Sequence, residues 1–336
     1  MTYSPLPTHL QTVHETCLGL VKSVKENRTK TDILRDVKKS DVEAFDWLAN
    51  GERIVSCTRD GALKVWNAQR MMEERSWAGS WTWVEAHPSD SNVFCAVSWD
   101  GKVKIGDVRS AAVGLDIDIK KSKNFDKFLA VTWKLDGKHV SVLTRSDVIH
   151  TVNVDSGDVT TVQPGCEVYC IMYDAMDRLW VGTGGTPGRI MVYTDGVLTD
   201  DFVAHSHITS CLARSRDNQF MISGGSDALV ALWDCKSHAC LKTFPNSLSP
   251  VTSVSASADA SMVSWGSGAI GAKDGEPVLS MAGMQTGVHY LSHVLQAPVS
   301  KVKWHPTRNV VAYSLQQVNN ADPSIHILSF PSLEQA

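Results

Sequence analysis

His205, Ser223 and Asp227 carry the side chains of a serine hydrolase: a hydroxyl nucleophile, an imidazole base and a carboxylate to orient that base. Hydrolysis would also need the serine exposed in a cleft beside an oxyanion hole, and the chain has no G-x-S-x-G elbow. Ser223 lies within the apolar run FMISGG (220–225), where a nucleophile is out of reach. The expectation is therefore a structural role and no enzyme.

Other residues with the right types fail on context. GSGAIG (266–271) has dinucleotide-loop spacing, but no helical pattern follows and Leu291 stands where an acidic residue would be needed. GTGGTPGR (182–189) lacks the Gly-Lys-Ser/Thr ending of a phosphate loop and reads as a turn. His289 and His293 are four apart without the glutamate of a zinc protease motif, and HYLSH reads as a connection. Cys235 and Cys240 flank His238 with no fourth ligand nearby. No cofactor and no metal is expected.

The positioning elements come from a repeat. Short runs rich in Val, Ile and Thr recur after residue 40 with turn signals between them. RIVSCTRDGALKVWNA (53–68) aligns with VFCAVSWDGKVKIGDV (93–108) forty positions on, and HVSVLTRSDVIHTVNVD (139–155) and FMISGGSDALVALWDC (220–235) follow the same plan. A period near 40 to 45 with four strands per unit predicts an all-β, seven-bladed β-propeller with second strands beginning near 53, 93, 139, 179, 220, 262 and 310. An unpaired edge would invite association with other chains. TDILR (31–35) is therefore expected to supply the outer strand of the C-terminal blade, giving a ring over 31–333 and a short, helix-compatible extension over 1–30.

Within that phase the chemistry of the trio changes. Asp227 can accept from the His205 imidazole, which pairs with the Ser223 hydroxyl, which accepts the Trp233 indole N–H, so each buried polar group finds a partner. Asp234, after the strand, is expected to be exposed.

With 43% hydrophobic and 20% charged residues, and a net charge of -4, the 336-residue chain has the composition of a globular protein with a large core. No apolar run is long enough to span a bilayer, the N-terminus lacks a secretory pattern, and no membrane association is expected. Eight scattered cysteines without a CxxC pair read as buried thiols in a reducing compartment. The charge balance argues against a dedicated nucleic-acid binder. Weak RNA contact would fall to basic stretches, among them Lys120, Lys121, Lys123 and Lys127 in KKSKNFDK.

If the turns between second and third strands share one face, Arg59, Trp99, Arg145 and Ser226 lie on it and are the candidates for partner binding. Of the three tryptophans in SWAGSWTW (76–83), at least one is expected at the surface.

GGSDALVALWD (224–234), EAHPSDSNVFCAVSWDGKVKIGDVRS (85–110) and VKWHPTRNVVAYS (302–314) resemble the WD-repeat subunits of the THO complex, part of the larger TREX assembly. Only the fifth unit ends in Trp-Asp, so this is a diverged WD-repeat sequence. The resemblance implies a non-catalytic nuclear scaffold that joins a large helical subunit and other THO subunits. Through these it would meet export factors and couple transcription to messenger ribonucleoprotein assembly. The alternative is a WD-repeat receptor for a peptide or modified tail, as in a ubiquitin ligase substrate adaptor or a chromatin reader. That would need an aromatic and acidic cage at the central opening. Asp60, Asp100, Asp147 and Trp99 are its candidates.

Overall fold

The computed structural model describes residues 30–34, 40–110, 116–118, 128–244, 249–268, 276–317 and 324–329. Residues 1–29 and the lysines at 120, 121, 123 and 127 lie outside them, as does the second half of GSGAIG.

The described strands form seven four-stranded antiparallel sheets arranged as a seven-bladed β-propeller. The second strands begin at Arg53, Val93, His139, Leu179, Phe220, Met262 and Val310, the positions that the repeat phase predicts. The innermost strands are Val42–Trp47, Trp81–Ala86, Phe128–Trp133, Val168–Tyr173, Thr209–Arg214, Val251–Ala256 and Val299–Trp304, in blades 1 to 7. Second strands read as near-continuous apolar runs because a neighbouring blade covers each of their faces. Met262–Ser267 is buried at every position, whereas the outer strand Met72–Trp77 is largely exposed.

Among the described residues the buried apolar side chains fall into seven clusters, each shared by two adjacent blades. Val55 and Val65 of blade 1 join Val84 and Phe94 of blade 2, for example, and Ile222 and Phe244 of blade 5 join Val263 and Trp265 of blade 6. The last cluster brings Leu34, Ile325 and Ile327 of blade 7 against Trp47, Ile54 and Trp66 of blade 1. Blade 7 is completed from the start of the chain, with Lys30–Leu34 antiparallel to Ile325–Ser329 over five residue pairs.

His-Pro turns brace two of the junctions. His305 Nδ1 accepts the backbone N–H of Thr307 and Arg308, so Nε2 carries the proton and donates to the Gly51 carbonyl of blade 1 at 3.1 Å. The ring also meets Trp47 edge-on at 4.7 Å. Blade 2 repeats the device: His87 Nε2 donates to the Gly137 carbonyl of blade 3 at 3.1 Å, and its ring meets Trp133 at 4.8 Å. Gly51 has φ +74°, and a Cβ there would fall 2.1 Å from His305 Cε1, so no other residue admits the imidazole.

Several sequence expectations are corrected. His289–Val294 is the outer strand of blade 6, not a connection, because its turn ends at Val288. None of the three clustered tryptophans is exposed. Trp81 is buried, and Trp77 and Trp83 are half-buried against the cluster between blades 1 and 2. Cys240 is exposed and Cys166 and Cys211 are half-buried, whereas Cys57, Cys95, Cys170 and Cys235 are buried thiols. Asp234 is half-buried and caps its turn, accepting the N–H of Lys236 and Ser237.

Burial holds the His305 imidazole down, from its ordinary 6.5 to about 4. Unfolding releases it, so between these values the unfolded chain binds a proton that the folded one does not. The contribution is therefore present above pH 6.5, declines as pH falls, and is lost below about 4. His205 and His289 are also lowered by burial and act in the same direction, so the informative quantity is a difference. Between pH 7 and 4.5 the wild type should lose about 2–3 kcal/mol more than His305→Asn in urea unfolding. Equal losses would show that this imidazole does not couple closure to protonation.

Candidate functional site

Blade 5 assembles the sequence-predicted quartet. Trp233 Nε1–H donates to Ser223 Oγ (2.9 Å), the Ser223 hydroxyl meets His205 Nε2 (2.8 Å), and His205 Nδ1 meets Asp227 Oδ1 (3.0 Å). The order Ser–His–Asp is that of a hydrolase triad. Burial separates the two: Ser223 has no exposed surface, and the indole N–H takes the lone-pair position on Oγ. His205 is held below its ordinary value by burial, against the pull of Asp227, and so rests neutral. Asp227 also accepts the N–H of Ser206 and Leu229, which ties the turn to the incoming strand. Gly225 leaves room for the imidazole, since a Cβ would lie 2.3 Å from His205 Nδ1.

Other blades solve the same problem with different residues. In blade 1 Trp66 Nε1–H donates to Ser56 Oγ at 2.8 Å. In blade 2 Gly106 replaces the tryptophan and the Phe94 ring fills the space, 2.2 Å from where a Cβ would stand. In blade 3 Ser141 Oγ lies 2.6 Å from Thr151 Oγ1 and 2.8 Å from the Tyr173 hydroxyl of blade 4. In blade 4 the buried Asp174 takes the Trp180 indole N–H (2.9 Å) and the Arg178 guanidinium (2.7 Å).

The turns between second and third strands do share a face. In six blades the residue following the second strand donates its N–H to the residue leading into the same blade's inner strand, among them Arg59 to Asp41, Trp99 to Ser80 and Ser226 to Ile208. Trp99 is 54% exposed there, and Arg145 is exposed. Arg59 is exposed but already ion-paired with Asp41 (2.8 Å) and Glu43 (3.1 Å), and Ser226 is half-buried. The turn aspartates serve the fold: Asp60 accepts from Thr58 Oγ1 (2.5 Å), Asp100 from Ser98, and Asp147 from the Val168 N–H (2.8 Å).

Two surfaces escaped the sequence reading. The outer strand of blade 4, Val197–His205, is nine residues long and leaves Val197, Leu198 and Val203 exposed on an open edge. The second is the central channel, a cavity of about 520 Å³ bounded by the seven inner strands. Its lining includes Asp46, Glu85, Arg214, Arg216, Lys301 and Lys303. Lys303 Nζ lies 3.3 Å from Asp46. Burial works to lower its ammonium, but Asp46 and Glu85 outweigh that and hold it above its ordinary value. Burial pushes the Glu85 carboxyl up to about 7 against the opposing Lys303 charge. Higher in the channel, Lys301 Nζ sits 3.8 Å from the centre of the Trp83 ring. The legible signal was charge among the apolar residues of an inner strand, Asp46 in VEAFDW, Glu85 in WTWVEA, and Lys301 and Lys303 at alternate positions of VSKVKW. Among the described residues, no group of three His, Cys, Asp or Glu could hold a metal ion.

Comparison with known proteins agrees with this architecture. The family model "WD domain, G-beta repeat" matches residues 33–67 and 196–234. THO complex subunit 3 of Arabidopsis thaliana is 24% identical over 314 residues, covering 88% of this chain and 94% of that protein. WD repeat-containing protein AAC3 of Dictyostelium discoideum is 25% identical over 343 residues, covering 90% and 67%. The β-propeller domain of Cps50 (Swd1) from Myceliophteria thermophila superposes with TM-score 0.73 at 13% identity, over 90% of this chain and all of that one. The structure of U3-55K gives TM-score 0.74 at 12% identity, over 89% and 98%. The fold is that of a WD-repeat β-propeller, an architecture suited to holding proteins together.

Replacing Asp227 by Ala strands the His205 N–H and the turn amides, and should destabilise the protein by about 1–3 kcal/mol. Asp227→Asn, whose amide oxygen still accepts from His205, should lose less. Urea midpoints measure both. An Asp227→Ala midpoint equal to wild type would mean that the quartet does not brace the blade.

Proposed function

We propose that this chain is a non-catalytic interaction scaffold that serves as the WD-repeat subunit of a THO-type complex in the nucleus, coupling transcription to messenger ribonucleoprotein assembly and export. The observation that carries the reading is similarity over 88% of this chain and 94% of a THO complex subunit 3. The surface is compatible with docking. Trp99 and Arg145 are exposed, and the blade-4 edge offers Val197, Leu198 and Val203 to an apolar stripe such as a helix presents. The partners in this reading are the other THO subunits, above all a large helical one, with export factors reached through them. RNA contact would be weak and electrostatic.

A modified-tail receptor finds less support. The channel-facing Trp83 already carries the ammonium of the chain's own Lys301, and the turn aspartates are engaged in the fold. A methylated lysine from outside would have to displace an internal cation.

Purification of the tagged full chain from native nuclear extract at moderate salt tests the reading. A large helical subunit and messenger RNA-associated proteins should be recovered in fixed ratio. Trp99→Ala should fold as stably as wild type yet retain at least tenfold less of that subunit, as expected for an aromatic anchor. Recovery of the chain as a lone monomer would overturn the assignment. Full retention by Trp99→Ala would move the docking surface elsewhere.

A further inference from the structure

The central channel has an unequal charge distribution. Its lining holds four cations, Arg214, Arg216, Lys301 and Lys303, against two acids, Asp46 and Glu85, in a chain whose net charge is -4. The acids are also placed unevenly. Asp46 is committed to Lys303, and Glu85 lies by Thr132 Oγ1 (3.4 Å) and the Trp133 N–H (3.5 Å) on the next blade. Lys301 stands two residues before Lys303 on the same strand, hence on the same channel-facing side and about 7 Å away along it. Its ammonium lies over the face of Trp83, and the thiols of Cys57, Cys170 and Cys211 and the Lys303 ammonium are the side chains that act on it most strongly. Among the described residues no carboxylate forms an ion pair with it.

The wall beside Lys301 is built from hydrogen-bond donors. Ser253 Oγ accepts the Val302 N–H at 3.0 Å, and Ser255 Oγ accepts the Trp304 N–H at 2.9 Å, one rung apart on the adjoining inner strand. Each hydroxyl has thereby spent an acceptor and keeps its O–H as a donor on the channel wall. The channel thus presents an ammonium fixed over an indole ring, with hydroxyl donors on one side. Its volume of about 520 Å³ lies within the range of small-ligand pockets.

We propose that the upper channel is a binding site for a small oxyanion, a carboxylate or a phosphate, held by the Lys301 ammonium above Trp83 with the Ser253 hydroxyl as a second donor. An anion would supply the counter-charge that no side chain among the described residues provides as an ion pair. It would enter without disturbing the Lys303–Asp46 pair. Burial lowers the Lys301 ammonium from its ordinary 10.5 to about 8, with the neighbouring Lys303 acting in the same direction against the three thiols. A bound anion must reverse part of this. Lys301 should titrate at higher pH in the complex, and by linkage the affinity should fall as pH rises through 8. The inference is independent of the proposed assembly.

The test uses the full chain with 13Cε-labelled lysine, followed by NMR. The Lys301 resonance is identified by its absence in Lys301→Arg. Succinate, ionised throughout the range, and inorganic phosphate are titrated separately at constant ionic strength against a chloride control. The expected result is a saturable shift of the Lys301 resonance and a rise of at least one pH unit in its titration midpoint with succinate. Calorimetry should give affinity at least tenfold weaker in Lys301→Gln and retained in Lys301→Arg. Should Lys301→Gln fail to fold, the wild-type midpoint alone decides. Saturation by succinate only, or phosphate only, identifies which oxyanion the site takes. Shifts with both that match chloride, or a midpoint unmoved by succinate at saturation, would overturn the proposal.

Discussion

The core of this protein lies between its blades, and the rest of the structure follows from that placement. Each apolar cluster takes side chains from one blade and from the next, so no blade buries its own surfaces alone. A row of such half-cores is stable only if the last meets the first; otherwise two large apolar faces stay in water. Closure is accordingly the most heavily cross-linked junction by sequence distance. It joins the Lys30–Leu34 pairing and the Leu34–Trp47 cluster to the His305–Gly51 bond and the Gln317 N–H on Asp41. Linking the chain's ends in one sheet also removes the edge through which an open stack would extend into other molecules.

The same placement explains why so diverged a repeat was legible. Asp-Gly turns and alternating apolar runs set the strand phase in units with little else in common, and the strand starts follow from them. The polar quartet in blade 5 was legible because it keeps four residue types at fixed offsets. Elsewhere the brace was rebuilt across blade boundaries, as in Ser141 with Tyr173 or Arg178 with the Cys235 carbonyl. A repeat alignment compares equivalent positions and is blind to contacts between non-equivalent ones. The channel was missed for a related reason: its six charged groups come from four inner strands far apart in sequence and, for Arg216, the turn after one of them, and only ring closure makes them neighbours. Exposure at the turns was equally hidden. Arg59 and Trp99 are equivalent in phase, but one has acids within reach on its own blade.

Divergence in the braces also bears on what the buried networks are for. Where a buried network is catalytic, each member is bound to a chemical role and substitution ends the reaction. Here a Trp–Ser–His–Asp network in blade 5, a Phe94 ring beside Gly106 in blade 2, and a Trp180–Asp174–Arg178 cluster at the turn between the first two strands of blade 4 serve the same mechanical end at different places. Interchangeability of this kind belongs to a framework. It leaves the exposed turns and outer edges free to vary independently of the core, which is how one ring can offer several unrelated docking surfaces.

The inner strands stand apart from this freedom. A strand that lines a narrow channel gains nothing for folding from lysine, glutamate or arginine. Each loses part of its hydration there, and small or apolar residues would close the ring as well. Asp46 with Lys303 offsets that cost within the molecule. Lys301 does not: the indole face of Trp83 stabilises a desolvated cation by about 2 kcal/mol or more but, unlike a carboxylate, leaves its charge unneutralised. A residue whose cost the fold leaves partly unmet is the kind that a binding partner can complete.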